Sequence, residues 1–239
     1  MSESKDLPIK PAGTVALIRQ GDLEIEALML RRNKALAFAA GAWVFPGGSV
    51  DTQDIAVCQN DTTEAAKAAA CREAMEECGL AVDPKDLYQI SHWTTPKGES
   101  RRFSTWLFVA ALRDHSEVQI DNGEIHDACW LSVSNIFQRH HAGELPMLPP
   151  TYMTLKAISE FSSVDDVVAA LETSTPVVVE PHGVPIEGGF AAMYPGDVGY
   201  ETLSADAPGP RHRTEIIRGI INTVVEGLPE GEQRLDKIR

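Results

Sequence analysis

Positive charge is scarce in this 239-residue chain: 21 Lys and Arg stand against 35 Asp and Glu, a net charge of −14. That balance argues against a non-specific nucleic-acid binder, whose affinity comes from neutralising phosphates with cations. A phosphorylated ligand would need a metal or a local basic cluster to approach. Cysteine is also sparse. Cys58, Cys71, Cys78 and Cys129 form no C-x-x-C pair and have no His at zinc spacing, so they read as free thiols in a reducing compartment. No window approaches 18 uninterrupted apolar residues, and the opening MSESKDLPIK lacks an apolar h-region. The expectation is a soluble cytoplasmic protein that binds neither nucleic acid nor membrane. G-x4-G-K-[ST], H-E-x-x-H and G-x-S-x-G are all missing. What remains is ordinary globular composition, 43% apolar and 23% charged. A chain of this length buries roughly 70% of its unfolded surface and needs no disulfide or structural metal to fold.

Residues 1–12 are polar, carry Pro8 and Pro11, and read as a loose arm. Thr14–Ile18 and Leu23–Leu30 have strand patterning around a Gly21-Asp22 turn, which predicts a hairpin. Ala42–Phe45 is a short apolar run stopped by Pro46-Gly47-Gly48, and Ser49–Thr63 is polar. The strongest helix is TEAAKAAACREAMEEC, with Asp61 and Glu64 at capping-box spacing and Gly79 as its stop. Leu87–Trp93, Ser104–Ala111 and Ile125–Leu131 read as strands; Ser134–His141, Tyr152–Phe161 and Ser163–Leu171 read as helices. Val177–Val179 is short and β-branched. Pro181–Pro210 is dense in Gly and Pro and reads as irregular; for Thr214–Val225 periodicity does not decide between helix and strand. An α/β layered domain over residues 13–172, with a C-terminal extension at 173–239 packed on or near it, is the expectation.

Glu73, Glu76 and Glu77 stand at i, i+3 and i+4, so three carboxylates share one helix face beside Arg72. Their mutual repulsion is relieved by a hard divalent ion, because Mg²⁺ and Mn²⁺ prefer carboxylate and water oxygens. A bare E-x-x-E-E pattern is also what a solvated acidic face looks like. The longer run decides the matter: the fixed charged and glycine positions from Glu64 to Gly79 recur by chance on the order of 10⁻⁵ in a chain of this size.

That run, E64-x7-R72-E73-A74-M75-E76-E77-C78-G79-L80 after Gly47-Gly48, resembles the Nudix signature G-x5-E-x7-R-E-U-x-E-E-x-G-U, where U is a bulky apolar residue. Two departures stand out. Gly48 is separated from Glu64 by fifteen residues instead of five, and Ala74 is smaller than the usual U residue. The insertion, the run Arg32–Asp51 and the L-P-P-T at Leu148–Thr151 are similar to the peroxisomal coenzyme A diphosphatase-like branch and its bacterial relatives. The resemblance extends loosely to Pro195-Gly196-Asp197 and Arg211-His212-Arg213. It implies a Nudix-type α/β/α sandwich with a mixed sheet. It further implies that Glu73, Glu76, Glu77 and the Gly48 carbonyl hold Mg²⁺ or Mn²⁺. Glu64 and Arg72 would pair to brace the loop, a role that fits better if Glu64 sits just before the helix, since eight helical residues span about 12 Å.

The reaction implied is hydrolysis of a nucleoside diphosphate linked to another moiety, with a metal-activated water as nucleophile. Glu124 is the first candidate for general base and Glu99 the second. The coenzyme A motif of the branch is half matched: Leu28, Arg32, Gly41 and Phe45-Pro46-Gly47-Gly48 agree, while Ala37 replaces its second Arg. Coenzyme A or an acyl derivative leads as substrate; ADP-ribose, a nucleotide sugar or an oxidised nucleotide is the alternative. Arg31, Arg32, Lys34, Lys97, Arg101 and Arg102 are candidates to collect phosphates, and Trp43, Trp93, Phe103 and Trp106 to stack a base. His140-His141 point to different helical faces and do not read as a metal site. The tail is a candidate lid or homodimer element. A non-catalytic nucleotide sensor is the rival, disfavoured because every box carboxylate is present, and an acidic scaffold with an accidental match is a third reading.

Overall fold

The computed structural model describes residues 8–35, 39–58, 61–113, 116–229 and 233–238. Ala37 and most of the supposed arm lie outside them. The chain opens on β1 (Ile9–Gln20), turns at Gly21-Asp22 and returns antiparallel as β2 (Ile25–Arg32), with Ile18 opposite Ala27. Residues 9–12 therefore belong to a strand and not to a loose arm. Pro11 fits there because only its carbonyl is used, accepting from the Val50 N–H at 2.9 Å.

Before Ile18, β1 and β2 diverge, and residues 43–49 fill the wedge. β3 (Trp43–Val44) pairs with β2, and β4 (Gly47–Ser49) pairs with β1, with Gly48 opposite Gly13. The two glycines read as a strand stop thus form a strand themselves. The polar stretch after them contains a short helix, α1 (Thr52–Val57), started by a reciprocal capping box between Asp51 and Asp54. Then comes α2 (Thr62–Cys78), capped by Asp61 and ended by Gly79 at φ +71°.

Further along are β5 (Tyr88–Thr94), β6 (Arg102–Ala111), β7 (Ile125–Ser132), α3 (Val133–His141), α4 (Pro149–Ile158), α5 (Val164–Thr173) and β8 (Val177–Val179). The main sheet runs β3-β2-β1-β6-β5-β8, with β4 also on β1 and β7 also on β2. It is mixed, because β1–β6 and β5–β8 are parallel and the other pairs antiparallel. One face buries Val15, Leu17, Leu28, Leu30 and Phe108 under the alanines of α2. The other buries Ile18, Met29, Val109 and Leu155 with residues of α3, α4 and α5. Helices on both faces make the expected sandwich.

The alanine stripe of α2 lets the helix lie unusually close to β1. A Cβ on Gly13 would meet the Ala66 carbonyl oxygen at 1.9 Å. Gly13→Ala is therefore expected to cost about 2–3 kcal/mol, as overpacking does; urea denaturation reads it, and an unchanged midpoint would contradict this packing.

β8 belongs to the main sheet, so the boundary drawn at 172/173 cuts a strand off its partner β5. The Gly/Pro-dense stretch read as irregular contains β9 (His182–Ile186) and β10 (Gly189–Met193), and the undecided segment is a hairpin, β11 (Arg211–Ile217) and β12 (Ile220–Glu226). Together they form an antiparallel sheet, β12-β11-β10-β9. Ala192 and Ile221 from this sheet, with Tyr194 just past β10, are buried in the same apolar cluster as residues of α4. The two motifs of the tail meet here. Arg213 donates to both carboxylate oxygens of Asp197 at 2.7 and 2.6 Å, and Asp197 also accepts the His212 and Gly199 N–H groups. Every polar group of this buried pair is matched, which is the condition for tolerating it. His140 is fully buried and ties the second sheet to α3: Nδ1 donates to the Leu145 carbonyl and Nε2 accepts the Ile221 N–H, each at 2.8 Å. Burial holds its pKa below the usual histidine value, so the ring is neutral and both nitrogens are used.

Candidate metal and active site

The wedge strand and α2 meet at the acidic cluster. Gly47 donates its N–H to the Glu77 carboxylate at 3.0 Å. Gly48 sits so close to Glu73 that a Cβ would meet its Oε1 at 2.2 Å, which is why no side chain fits there. Glu77 is 5% exposed, and burial, reinforced by the Glu73 charge and opposed by the Gly47 N–H, pushes its pKa up to about 8. Burial raises Glu73 as well, against the pull of Arg72. Glu76 is at the open side, with its side chain 58% exposed.

Arg72 organises the cluster. It donates to Glu73 at 2.8 Å, to Glu76 at 3.1 Å and to the Ser49 carbonyl at 3.1 Å. Its main partner is Asp54, reached by Nε and Nη2 at 3.4 and 3.1 Å, with Asp51 at 3.8 Å. Glu64 is not in this network. It pairs with Lys67 at 3.0 Å, because it lies inside the first turn of α2, two turns away from Arg72. The expected Glu64–Arg72 brace is thus corrected to Asp54–Arg72. The signal was in the sequence: five residues separate Asp54 from Gly48, the family spacing, so the ten extra residues fall between Asp54 and Arg72 and not between Gly48 and the bracing carboxylate.

Glu124 joins the site from the residues before β7. Its side chain accepts from Arg32 at 3.3 Å and is 59% exposed, and it is near enough to act on the charges of Glu73 and Glu77. Asp121 shapes this loop by accepting the Glu124 and Ile125 N–H groups at 2.9 Å, and Asn33 N–H donates to the Glu124 carbonyl at 2.8 Å. Asp51, Asp54, Asn33 and Asp121 were not anticipated, since short polar side chains in loops and in a helix of six residues carry no periodic signal. Glu99 is exposed between β5 and β6.

The basic residues do not gather as one patch. Arg31 and Arg32 stand at the end of β2, beside the wedge. Arg102 is 7% exposed and spends its donors on the Thr95 carbonyl at 3.0 Å and on Glu180 at 2.6 Å, so it is a structural tie and not a phosphate ligand. Arg101 and Lys97 are exposed in the neighbouring loop. Arg102 pairs with Ile9 on the edge of β1 away from β4, on the order of 15 Å from Gly48 by strand geometry. Trp43 and Trp93 are buried, and Trp106 stacks on His92 at 4.1 Å.

The donor set at the cluster is all oxygen, from carboxylates and the Gly48 carbonyl, and suits a hard divalent cation. Among the described residues no three acidic, His or Cys side chains already converge as a cage. Arg72 holds Glu73 and Glu76, while Gly47 holds Glu77. Burial and the Glu73 charge oppose the ionisation of Glu77, and a cation at this place would let it ionise. No helix among the described residues is long and apolar enough to cross a membrane.

A family model described as the NUDIX domain matches residues 9–150. The putative nudix hydrolase 7 of Caenorhabditis elegans is 23% identical over 208 residues, 72% of this chain and 69% of that protein. The acyl-coenzyme A diphosphatase NUDT19 of Homo sapiens is 30% identical over 82 residues, but those cover 34% of this chain and 22% of that protein. A NUDIX hydrolase structure from Alicyclobacillus acidocaldarius shares the fold, with a TM-score of 0.62 at 24% identity over 69% of this chain and 97% of that one. With the family model spanning more than half of its length and the acidic loop–helix at its centre, the chain belongs to the Nudix hydrolase family.

Proposed function

We propose that the protein hydrolyses the diphosphate bond of a nucleoside diphosphate linked to another moiety, with Mg²⁺ or Mn²⁺ held by Glu73, Glu76, Glu77 and the Gly48 carbonyl. The observation that carries this reading is the buried Glu77 carboxylate, facing Gly47 and repelled by Glu73, with no cation among the described residues bonded to it. Nudix hydrolases generally use divalent metals; such an ion, when bound, neutralises the diphosphate and lowers the pKa of a coordinated water. Glu77 supplies the inner anionic charge, and Arg72 keeps Glu73 and Glu76 on one face. Asp54 and Asp51 anchor Arg72 to the wedge. Arg32, at the mouth of the site, is placed to take a phosphate oxygen. Glu124, exposed and within reach of Glu73 and Glu77, is the candidate to accept the proton of the attacking water.

Coenzyme A or an acyl derivative is the leading substrate class. The half-matched motif through Arg32 and Gly41, and the name of the human relative, support it. The test is a panel of diphosphate compounds assayed with Mg²⁺ and with Mn²⁺, products identified by mass. Metal-dependent cleavage between the two phosphorus atoms is expected; absence of turnover across the panel would reject the reading. Glu124→Gln is expected to lower kcat by about 10²-fold or more, the usual share of a general base, with metal affinity held within twofold. Unchanged kinetics would remove Glu124 from this role.

A further inference from the structure

Two hydrogen bonds fix the ring of His140, a fully buried group at the end of α3, on the sheet face opposite α2. Its Nε2 takes the Ile221 N–H, so the ring proton sits on Nδ1 and is given to the Leu145 carbonyl, each at 2.8 Å. The next carbonyl in the chain, that of Pro146, accepts the Trp43 N–H, also at 2.8 Å. Leu145 is itself fully buried, and its N–H returns to the Arg139 carbonyl at 3.3 Å. Leu145 and Pro146 are therefore a short spacer with α3 on one side and β3 on the other. β3 is two residues long, flanked by the Ala42 and Pro46 carbonyls, which accept from Arg32 and Val15 at 3.0 and 2.9 Å. A pairing this short is marginal alone, so the bonds along its border decide where it lies. Gly47 follows Trp43 by four residues and gives its N–H to Glu77, and Gly48 lies against Glu73.

We infer that His140 is a positioning residue for the metal site: by holding the Leu145 carbonyl it fixes the Pro146 carbonyl on which β3 hangs, and β3 sets where Gly47 and Gly48 meet Glu77 and Glu73. This rests on the reading of the acidic cluster as the metal site of a diphosphate hydrolase. Histidine suits the task because one rigid ring bonds at both ends. The bond from Ile221 keeps the ring from turning, so β12 and its sheet act as the backing of the wedge. Trp43, Phe45, Leu145 and Tyr152 also share one apolar cluster. Apolar packing has no direction, whereas hydrogen bonds fix the strand along its own axis. A misplacement of about 1 Å is enough to matter at a site that holds reacting groups.

The test separates the two bonds of the ring in the full chain. In His140→Gln the side-chain oxygen stands near the place of Nε2 and takes the Ile221 N–H, and the donor to Leu145 is lost. In His140→Asn the amide N–H stands near the place of Nδ1 and keeps Leu145, and the acceptor for Ile221 is lost. Each variant leaves one buried group unpaired, so both should be less stable than wild type in urea. Mn²⁺ affinity, read by isothermal titration, should fall about tenfold in His140→Gln and stay within about twofold in His140→Asn. Without metal, the Gly47 amide ¹H–¹⁵N signal should move in His140→Gln alone. Affinity losses equal in the two variants, larger in His140→Asn or absent from both overturn the role. So does a Gly47 signal that keeps its wild-type position in His140→Gln, since a merely structural ring lowers stability without telling its two ends apart. Should His140→Gln not fold, Mg²⁺ titrated into the wild type decides. Coupling is reciprocal, so the His140 Nδ1–H signal should shift saturably together with that of Gly47. A Gly47 signal that moves while the His140 signal does not overturns the role. A wild type that binds neither ion would reject the proposed function, and the metal-free Gly47 signal of the two variants would still decide the positioning role.

Discussion

Glu77→Gln is expected to reduce metal-dependent turnover by about 10³-fold or more while leaving the metal-free protein at least as stable as the wild type. The two halves of that result have one cause. Glu77 is buried, and its carboxyl keeps its proton to about pH 8, whereas the same group in the unfolded chain ionises near 4.5. Between those values the unfolded state has released a proton that the folded state retains. Stability from this group is therefore full below about pH 4.5 and declines as pH rises toward 8. Glutamine cannot ionise, so the variant escapes that decline. In urea titrations without metal, its advantage over wild type should grow from pH 5 to pH 8. Saturating Mn²⁺ should reverse the order, because a ligand that binds only the folded wild type stabilises it by mass action. A rate loss of 10³-fold corresponds to about 4 kcal/mol of transition-state stabilisation, a reasonable share for one ligand of a metal site. A variant that retains activity would remove Glu77 from the ligand set.

Asp54→Ala should lower metal affinity by about 10- to 100-fold, the usual effect of losing a group that orients ligands, and Glu64→Ala should change it less than twofold. The contrast follows from what each carboxylate touches. Asp54 is 5% exposed and holds Arg72 through two guanidinium nitrogens, and Arg72 in turn holds Glu73 and Glu76. Removing Asp54 leaves Arg72 anchored to the wedge only through the Ser49 carbonyl and distant Asp51. Glu64 is half exposed and meets Lys67, a surface pair of small worth. Isothermal titration with Mn²⁺ reads both variants. Equal losses, or a larger loss in Glu64→Ala, would restore the brace to Glu64 and contradict the position of the insertion.

That misplaced brace shows where the sequence stops being legible. The helix of the box was readable in full, because its helix formers, its aspartate cap and its terminal glycine all act locally. The hairpin of β1 and β2 was readable for the same reason. α1 was not: it has six residues, too few for periodicity, and it is held by a capping box that only the folded loop closes. The second hairpin was hidden by its turn, where Arg218 and Gly219 both take positive φ, 53° and 82°. Asparagine or aspartate before glycine announces such a turn, whereas arginine does not. Arg102 was misjudged as a phosphate ligand because charge in sequence says nothing about burial; its carboxylate partner, Glu180, arrives from 78 residues away. Glu73, Glu76 and Glu77 could be grouped from the sequence because one helix sets their spacing. Asp54 was missed because its six-residue helix leaves no periodic trace, and Asn33 and Asp121 because loops bring them there.

The most direct measurement is an anomalous diffraction map from crystals soaked in Mn²⁺. The account requires a peak bound by the carboxylates of Glu73, Glu76 and Glu77 near the Gly48 carbonyl, at metal–oxygen distances of about 2.0–2.4 Å. A map with no peak there, or with manganese bound only elsewhere on the acidic surface, would contradict it.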